Sequence, residues 1–360
     1  MRAAIMRDSK LFAGDIADPV PGPGEVLVKT LACGICGSDL HALKHTRQFV
    51  ENAPGGSMSF DMHRDVVMGH EFCAEILDYG LGCTKQHAVG TRVCAVPMLL
   101  RDGVPTTVGY SNSVPGGYAE RMVLMEALLL PVKNGLSSEL AALTEPLAVG
   151  LHAVEMARLE AGDIPLVIGC GPIGLAVITA LKARDVRPII AADYSPLRRK
   201  LAQTQGADIV IDPAETSPYA TWRDLATLSL AGERLPENPL TGTPVLRPGV
   251  FFECVGVPGV IDQMMVGAER GCRFVVVGVC MEPDQIRPLL AVTKELNLQF
   301  VLAYTPEEFA RTLALIGEGA MKVDALITGK VGVEGVADAF RDLGNPEAHA
   351  KIVVEPWRAR

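Results

Sequence analysis

A glycine-rich turn between an apolar segment and a helical segment constrains this chain more than any other feature of its sequence. The run Gly169-Cys170-Gly171-Pro172-Ile173-Gly174 follows an apolar segment, and Asp193 stands nineteen residues after Gly174. In a strand, tight turn and helix with this spacing, Gly169 makes the turn, Gly171 lets the backbone approach a pyrophosphate, and Gly174 lets helix and strand pack closely. The context therefore predicts a dinucleotide site at the start of the helix, where unpaired N–H groups favour phosphate.

The apolar segment around this turn has the composition of a membrane span, because Ile164 to Leu181 contains no charged residue. Pro165, Pro172 and three glycines interrupt it. Such interruptions punctuate strands and turns, so we interpret the segment as a strand, a turn and a helix.

The acidic residue after the next predicted strand indicates which dinucleotide is bound. Asp193 is placed to accept hydrogen bonds from both ribose hydroxyls of an adenosine, and its charge would repel a 2′-phosphate. NAD is therefore expected rather than NADP, although Arg198 leaves NADP open. The predicted cofactor-binding residues in this half of the chain are Gly169, Gly171, Pro172, Ile173, Gly174, Asp193, Arg198, Val255 and Val277.

Length and composition limit the class of protein. With 360 residues the chain is longer than a single hydrophobic core usually supports, which predicts two domains. Its apolar fraction of 49% is typical of a compact globular protein. A formal net charge of −9 argues against a nucleic-acid partner. The first residues lack the apolar core of a signal peptide, and nine cysteines without a repeated spacing form no disulfide framework, so cytoplasmic residence is expected.

The first part of the chain has a different sequence pattern from its middle. Short apolar segments bounded by Gly or Pro predict strands at Glu25–Leu31, Glu71–Tyr79, Gly90–Val96 and Gly117–Val123. Helical spacing begins at Ser137, and Pro146 is expected to end one helix and open the next, which places Glu145 on the joint. The segment from Arg2 to about Val132 is predicted to be mostly β.

From Ile164 the pattern becomes strand followed by helix, which is typical of a parallel sheet covered on both faces. Thr305-Pro306-Glu307-Glu308 has the pattern of a helix capping box, and Lys351 to Glu355 is predicted to be a strand that returns to the first domain. We therefore expect an α/β protein with a catalytic domain over 1–145, completed by 300–360, and a doubly wound dinucleotide-binding domain over 146–299. The excursion at 212–249 has no predicted role.

A second set of motifs contains residues of the types that bind metal ions. Cys36 begins Cys-Gly-Ser-Asp-Leu-His, His70 lies between Gly69 and Glu71, and Glu145 lies in Thr-Glu-Pro-Leu-Ala-Val-Gly. With the glycine turn, these motifs resemble the zinc-dependent branch of the medium-chain dehydrogenase/reductase family, which contains alcohol, sorbitol and threonine dehydrogenases. The resemblance runs from Pro21 to Val353. It implies a GroES-like, mostly β catalytic domain beside a Rossmann-type domain, and an oxidoreductase that transfers a hydride between an alcohol and NAD to give an aldehyde or ketone.

The resemblance also implies a catalytic zinc site. Cys36 and His70 are implied ligands, Glu145 stands where polyol-type members place a ligand or near-ligand carboxylate, and Glu71 is the alternative carboxylate. Thiolate, imidazole and carboxylate suit zinc and leave a fourth position for an alcohol, whose proton the metal makes acidic. Asp39 is expected to orient His70, as ligating histidines generally require.

A proton exit and a contact with the cofactor follow from the same resemblance. Ser38 accepts the alcohol proton, passes it through a ribose hydroxyl of the cofactor, and His41 releases it to solvent, a task that suits a histidine pKa near 6.5. Lys351 is expected to touch the pyrophosphate from the other domain. Cofactor, zinc and a small-molecule alcohol are expected to meet in a cleft between the domains.

The chain departs from many zinc alcohol dehydrogenases in one region. Those enzymes hold a second, structural zinc with four closely spaced cysteines, whereas Cys83 to Gly117 here offers only Cys83 and Cys94. One zinc per chain is therefore expected. The segment from Leu43 to Val67 is longer than in most relatives, so that Asn52–Asp65 is interpreted either as a lid over the substrate or as a surface excursion without consequence.

Two rival functions stay open at this point. A zinc-free, NADPH-dependent enone or quinone reductase of the same superfamily would lack the Cys36 and His70 pair, and a redox sensor without catalysis would not need the relay residues. The sequence leaves the substrate open among primary, secondary and polyol alcohols. No contact with a membrane is expected. The chain is expected to form a homodimer or homotetramer through an edge strand such as Cys272–Val279.

Overall fold

The computed structural model describes residues 1–51, 58–101, 103–240 and 242–358. The chain divides into two compact units, one formed by Met1–Pro146 with Thr305–Arg360 and the other by Leu147–Tyr304. No helix within the described residues is both long enough and apolar enough to span a bilayer. The predicted lid, Asn52–Asp65, lies outside the described residues at 52–57.

The first unit begins with a series of short strands. Its elements are β1 (Arg2–Arg7), β2 (Lys10–Asp15), β3 (Glu25–Gly34), α1 (Gly37–Lys44), α2 (Thr46–Glu51), β4 (Glu71–Tyr79), β5 (Arg92–Ala95), β6 (Met98–Arg101), β7 (Val104–Thr107), β8 (Arg121–Met125), β9 (Leu129–Pro131) and α3 (Ser138–Ala142). The boundary between the units falls inside the next helix, α4 (Thr144–Met156).

The second unit alternates strands and helices. Its elements are β10 (Ile164–Ile168), α5 (Pro172–Ala183), β11 (Ile190–Ala192), α6 (Pro196–Gln205), β12 (Ile209–Ile211), α7 (Pro218–Ala226), β13 (Gly249–Glu253), α8 (Val260–Gly267), β14 (Arg273–Val276), α9 (Pro288–Thr293) and β15 (Asn297–Phe300). The chain then completes the first unit with α10 (Pro306–Gly317), β16 (Ile327–Val331), α11 (Val336–Leu343) and β17 (Lys351–Val354).

The main sheet of the first unit positions the metal-binding motifs. Its strand order is β16-β17-β3-β4-β5-β9, and β8 pairs with β3 as well. The strands β3 and β4 are antiparallel, with Gly34 opposite Glu71. The end of β3 therefore lies beside the start of β4, although 36 residues separate these two positions in the sequence. The predicted return of the C-terminal strand is confirmed, because Val353 of β17 pairs with Gly34.

The second unit contains a fully parallel sheet in the order β12-β11-β10-β13-β14-β15. Numbered by appearance, this is the 3-2-1-4-5-6 order of the doubly wound dinucleotide-binding fold, which reverses beside β10. The core includes Trp222, whose ring packs edge-on against Phe251 at 5.1 Å between centroids. The uncharged segment at Ile164–Leu181 is a strand, a turn and a helix, as predicted.

Three local predictions were wrong in detail. The strand expected at Cys272–Val279 is β14, which lies inside the sheet; the edge strands are β12 and β15, and Phe300 of β15 is 64% exposed. The sequence at Gln299–Tyr304 also has the pattern of a strand, but the strand there ends at Phe300, and the strand expected from Gly117 starts at Arg121. The strand starts later than predicted because the backbone N–H of Gly117 donates to the carbonyl of Gly69 at 2.7 Å rather than to a neighbouring strand.

The boundary between two helices near Pro146 also differs from its prediction. Helix α3 ends at Ala142, and α4 already begins at Thr144, so Pro146 is the third residue of its helix rather than the first. A proline is tolerated there because the first N–H groups of a helix have no partner within it. Glu145 consequently projects from the first turn of α4.

The predicted capping box of α10 is confirmed. The Thr305 hydroxyl accepts a hydrogen bond from the Glu308 N–H at 3.2 Å, and the Glu308 carboxylate accepts one from the Thr305 N–H at 2.7 Å. Pro306 occupies the first helical position. These bonds satisfy two N–H groups that a helix start leaves unpaired.

Replacing the cap should weaken the first unit measurably. Thr305→Ala removes the hydroxyl acceptor and should lower the free energy of unfolding by about 1 kcal/mol. Thr305→Ser retains the hydroxyl and should stay close to the wild type. Urea unfolding followed by circular dichroism measures both variants, and equal stability of Thr305→Ala and Thr305→Ser would contradict the assigned cap.

Candidate functional site

The two strand ends in the first unit bring together the predicted metal ligands. Cys36 caps the N-terminus of α1 just after β3, and His70 directly precedes Glu71, the first residue of β4. Ligand atoms of Cys36, His70 and Glu71 all lie within 4.8 Å of one another. A side chain on Gly34 would collide with the Glu71 carboxylate, since its Cβ would lie 2.0 Å from Oε2. Glycine is therefore required where the two strands meet.

The electrostatics of this cluster favour a cation. Burial raises the pKa of the Cys36 thiol, and the charge of Glu71 raises it further. Burial lowers the pKa of His70, but the charges of Asp39 and Cys36 outweigh it and raise that pKa well above its usual value. The anionic neighbours therefore favour positive charge at this place, and a sulfur, an imidazole and a carboxylate are a donor set that fits zinc. Among the described residues, no other group of three such side chains could hold a metal ion.

Asp39 is the buried anion behind the cluster. Its carboxylate accepts hydrogen bonds from the Tyr110 hydroxyl at 2.7 Å, the Tyr118 hydroxyl at 2.6 Å and the Cys36 backbone N–H at 3.1 Å. Burial opposes its ionisation, yet His70 and the two tyrosine hydroxyls lower the pKa of the carboxyl below its usual value. Asp39 is therefore an anion that does not reach solvent.

His70 faces Asp39 without a well-formed hydrogen bond. Its Nδ1 lies 3.5 Å from Asp39 Oδ1, within reach of an ion pair but at the limit for a hydrogen bond, and the same atom is buried without a hydrogen-bond partner among the described residues. We regard the contact as electrostatic on the basis of that distance. Asp39 thus stands where the sequence predicted an orienting group for His70.

Lys351 has a different position from the one predicted. Its ammonium donates to both carboxylate oxygens of Glu71, at 2.8 and 2.7 Å, and to the Ile35 carbonyl at 2.9 Å. Burial lowers the pKa of Lys351, but the charges of Glu71 and Cys36 raise it above the usual value. The side chain is 3% exposed and all three ammonium protons are engaged. The predicted pyrophosphate contact is therefore replaced by a contact with the metal-site carboxylate.

Glu145 lies outside the three-residue cluster. It is half-buried in the first turn of α4, and its charge acts on Lys351. Both candidate carboxylates therefore raise the pKa of Lys351, and Glu71 is in direct contact with its ammonium. Both predicted relay residues lie on α1: Ser38 contacts the Tyr110 hydroxyl at 2.8 Å, and His41 is half-buried. Burial, and then the charges of His45 and Lys44, lower the pKa of His41.

The glycine turn in the second unit has the geometry that its sequence predicts. Gly169 has a φ of +89°, in the left-handed region that favours glycine, and a Cβ on Gly174 would lie 1.8 Å from the Gly169 carbonyl oxygen. Gly171 caps α5, with Pro172 in the first helical turn. The backbone can therefore approach a ligand closely at this point.

The acidic residue that follows supports this turn. Asp193 accepts hydrogen bonds from the backbone N–H groups of Cys170 at 2.7 Å and Ser195 at 2.8 Å. Arg198 lies over the turn, with its guanidinium carbon 3.9 Å from the position of a Cβ on Gly171, and its Nε is buried without a hydrogen-bond partner among the described residues.

The remaining predicted cofactor residues surround the same turn. A Cβ on Gly169 would lie 2.7 Å from a methyl group of Val255, which is 43% exposed. Val277 is buried at the end of β14, where its N–H bonds the Glu253 carbonyl at 2.9 Å. Ile173 is half-buried in the first turn of α5.

Sequence reasoning missed two tyrosines and the partner of Lys351. Tyr110 and Tyr118 are 71 and 79 residues from Asp39, and no motif links them to it. The region with Cys83 and Cys94 forms no cysteine cluster: both thiols are free and donate to backbone carbonyls at 3.3 Å. The number of zinc ions per chain stays a prediction.

Two family models match the chain in the regions of these two sites. The model described as "Alcohol dehydrogenase GroES-like domain" matches residues 22–134, and the one described as "Zinc-binding dehydrogenase" matches residues 172–318. The first model covers the cluster in the first unit, and the second begins at Pro172, within the glycine turn, and includes Gly174 and Asp193.

Curated relatives and solved structures extend the match to the whole chain. The (R,R)-butanediol dehydrogenase of Bacillus subtilis is 33% identical over 99% of this chain and 100% of its own length. Bovine sorbitol dehydrogenase is 27% identical over 89% of this chain and 86% of its own length. The crystal structure of 2R,3R-butanediol dehydrogenase from B. subtilis superposes with a TM-score of 0.82 and 31% identity, covering 99% of each chain.

The chain therefore belongs to the zinc-dependent medium-chain dehydrogenase/reductase family. It has that family's GroES-like and Rossmann-type architecture and is an oxidoreductase of the alcohol dehydrogenase type. The resemblance drawn from its motifs is confirmed.

The glycine turn gives a direct test of dinucleotide binding. Gly174→Ala places a methyl group against a backbone oxygen that cannot move without opening the turn, so it should weaken NADH binding at least tenfold and lower the free energy of unfolding by about 2 kcal/mol or more. Fluorescence titration with NADH and thermal unfolding measure the two effects.

The matched control is Gly317→Ala at the end of α10. Its methyl group would meet only the Asn134 amide nitrogen at 3.5 Å, so NADH affinity should not change. Unchanged NADH affinity in Gly174→Ala would show that the turn is not the dinucleotide site.

Proposed function

We propose that this protein is a zinc-dependent, NAD-linked dehydrogenase of small secondary alcohols, with vicinal diols and polyols as its substrate class. The observation that carries the proposal is the cluster of Cys36, His70 and Glu71, whose ligand atoms lie within 4.8 Å of one another beside a buried anion. Full-length similarity to butanediol and sorbitol dehydrogenases supports the substrate class.

We assign one zinc ion to each chain. Cys36 and His70 would hold it, with His70 using Nε2 because Nδ1 faces Asp39. The third ligand is a carboxylate, either Glu71 from the cluster or Glu145 from α4. When bound, zinc supplies Lewis acidity, which makes an alcohol hydroxyl acidic near neutral pH. This chemistry separates the proposal from a zinc-free reductase, which has no use for a thiol and an imidazole at this distance.

NAD is the proposed cofactor. Asp193 is an acidic residue held by two backbone N–H groups after the second strand of the fold, where a carboxylate favours unphosphorylated ribose. Arg198 lies near the same turn and is the one feature that favours a 2′-phosphate. A comparison of kcat/KM with NAD and NADP decides between the two.

The protein's own residues handle the proton released by the alcohol. Ser38 accepts it at Oγ, and His41 exchanges it with solvent from the last turns of α1. Because its pKa is lowered, His41 is neutral at neutral pH and can accept a proton. Asp39 keeps the His70 ring in place from the buried side.

Assembly and location remain part of the proposal. The edge strand β15 exposes Phe300 and is followed by Leu302, which is 75% exposed, so we assign the contact between copies in a homodimer or homotetramer to this edge. The nine cysteines are all free, which is consistent with the reducing conditions of the cytoplasm.

Metal analysis tests the central claim. Cys36→Ala removes one ligand, so zinc content should fall from one per chain to well below that value, and NAD-dependent oxidation of 2,3-butanediol should drop by at least about 100-fold. Atomic absorption and NADH absorbance measure the two quantities. A zinc chelator should have the same effect on the wild type.

Cys83→Ala is the matched control, because this thiol lies outside the cluster and donates to the Glu25 carbonyl. It should retain zinc and activity. Turnover that persists in Cys36→Ala or in the presence of the chelator would favour the zinc-free reductase.

The pH profile tests the role of His41. A protonated imidazole cannot accept a proton, so kcat/KM for alcohol oxidation should fall on the acid side of a midpoint below about 6.5, the usual histidine pKa. His41→Gln should abolish this acid limb and reduce the rate at pH 7 by about 10- to 100-fold.

His45→Gln provides the comparison. It removes a neighbouring charge that lowers the His41 pKa, so the acid limb should persist with its midpoint at higher pH. An unchanged profile in His41→Gln would exclude His41 from the proton path.

A further inference from the structure

The side chain of Glu253 is a buried acid at the carboxyl end of the parallel sheet. Glu253 is the last residue of β13, where its neighbours in register are Ile168 of β10 and Val276 of β14. The residue is 2% exposed and belongs neither to the metal cluster nor to the glycine turn. Burying an acid is costly unless hydrogen bonds satisfy its oxygens, so its partners define its role.

One carboxyl oxygen holds the turn that follows β13. Oε1 accepts hydrogen bonds from the backbone N–H groups of Val255 at 2.8 Å and Gly256 at 2.9 Å. A carboxyl oxygen can accept such bonds whether or not the group is ionised. The turn needs glycine, since Gly256 has a φ of +71° and its Cβ would lie 2.7 Å from the backbone nitrogen of Val279. The turn after β13 is therefore tied to Glu253 and lies against the segment after β14.

The second carboxyl oxygen faces that segment after β14. A Cβ on Gly278 would lie 2.5 Å from Oε2 and 2.4 Å from the Gly256 nitrogen, so these groups are packed without room for a methyl group. The backbone carbonyl of Glu253 also accepts hydrogen bonds from the N–H groups of Val277 at 2.9 Å and Gly278 at 3.0 Å. Glu253 therefore joins the segments that follow two neighbouring strands.

The place of these segments in the fold relates them to one half of a dinucleotide. A doubly wound sheet binds a dinucleotide at the carboxyl ends of its strands, across the point where the strand order reverses. That point lies between β10 and β13. Asp193 follows β11, on the adenosine side of the reversal, so the segments after β13 and β14 are on the side of the nicotinamide nucleotide.

We propose that Glu253 is a positioning residue for the nicotinamide half of the cofactor, because it fixes the two segments on that side before the cofactor binds. This inference rests on the proposed function. A segment that is already ordered loses less conformational entropy when its ligand arrives. Val255 and Val279 are 43% and 53% exposed in these segments, which leaves apolar surface there for a flat ring. Removing the tie should therefore weaken binding of the nicotinamide half alone.

The experiment compares the Kd values of NADH and ADP in the wild type and in Glu253→Leu. ADP contains the adenosine and pyrophosphate of the cofactor and lacks the nicotinamide and its ribose. Leucine accepts no hydrogen bond, so the Kd for NADH should rise about tenfold, the order expected when two hydrogen bonds no longer hold a binding segment in place. The Kd for ADP should change less than about twofold, because ADP lies on the other side of the reversal. Calorimetric titration of the full chain measures both constants, and thermal unfolding is followed on the same preparations.

Glu253→Gln is the conservative variant. Its amide oxygen still accepts both N–H groups of the turn, while an NH2 group replaces the oxygen that faces Gly278. The Kd for NADH should rise only about two- to threefold, with ADP unchanged. If Glu253→Leu does not fold, Glu253→Gln carries the comparison, and an unchanged Kd for NADH or an equal rise for both ligands would then overturn the inference.

Arg199 provides a matched control on the adenosine side. Its guanidinium donates to the carbonyls of Asp193 at 2.9 Å and Tyr194 at 2.6 Å, and it pairs with Asp212 at 2.9 Å. Arg199 thus holds the segment after β11, as Glu253 holds those after β13 and β14. Arg199→Gln should weaken NADH and ADP by the same factor, about three- to tenfold. A loss for NADH without a loss for ADP would contradict the assignment of the two halves and overturn the inference.

The remaining outcomes separate this inference from the proposed function. In a protein whose wild type binds NADH, no loss in Glu253→Leu would overturn the inference and leave the proposed function standing. Equal losses for NADH and ADP would do the same, because they would show that the acid supports the whole unit rather than one half of the site. A folded wild type that binds no NADH would overturn the proposed use of NAD, and the inference with it.

Discussion

The buried carboxylate of Asp39 is the interaction on which the rest of the site depends. A charge without solvent is tolerated only when hydrogen bonds and opposite charge surround it, because an unpaired buried carboxylate costs several kcal/mol. Tyr110, Tyr118 and the Cys36 N–H supply the hydrogen bonds, and His70 supplies the facing ring. These groups come from separate segments of the first unit. Satisfying one anion therefore places the thiol and the imidazole of the metal cluster side by side.

A second buried ion pair, between Lys351 and Glu71, lies within the metal cluster. Lys351 returns from the last strand of the unit and donates to both oxygens of Glu71, directly beside Cys36 and His70. The fully buried carboxylate therefore has an opposite charge in direct contact, without which its burial would be costly. Glu145 acts on the same ammonium from α4. The direct partner of the lysine is Glu71, one of the two carboxylates that are candidates for the third zinc ligand.

The segment that in many zinc alcohol dehydrogenases carries the structural-zinc cysteines has a different anchor in this chain. Arg101 and the buried Glu25 form a bidentate ion pair, with distances of 2.7 and 2.8 Å. Two parallel hydrogen bonds between a guanidinium and a carboxylate fix orientation as well as distance. Gly109 then allows the backbone to approach Gly69, and Tyr110 reaches Ser38 and Asp39. This region therefore brings a tyrosine hydroxyl to the side chains of Ser38 and Asp39.

The sequence by itself determined the parts of this protein that local chemistry encodes. The turn at Gly169 to Gly174 and the cap at Thr305 are set by backbone rules that act over a few residues. The motifs around Cys36, His70 and Glu145, together with that turn, were enough to indicate the family. The sequence could not show that Lys351 binds Glu71, that Tyr110 binds Ser38, or which strand forms the edge of the parallel sheet. Those contacts join residues that can lie more than 70 positions apart in the sequence, and only the strand order and the burial of unpaired charge decide which of many possible partners meet. The tertiary structure made that choice because most buried polar groups must find a partner inside the folded unit.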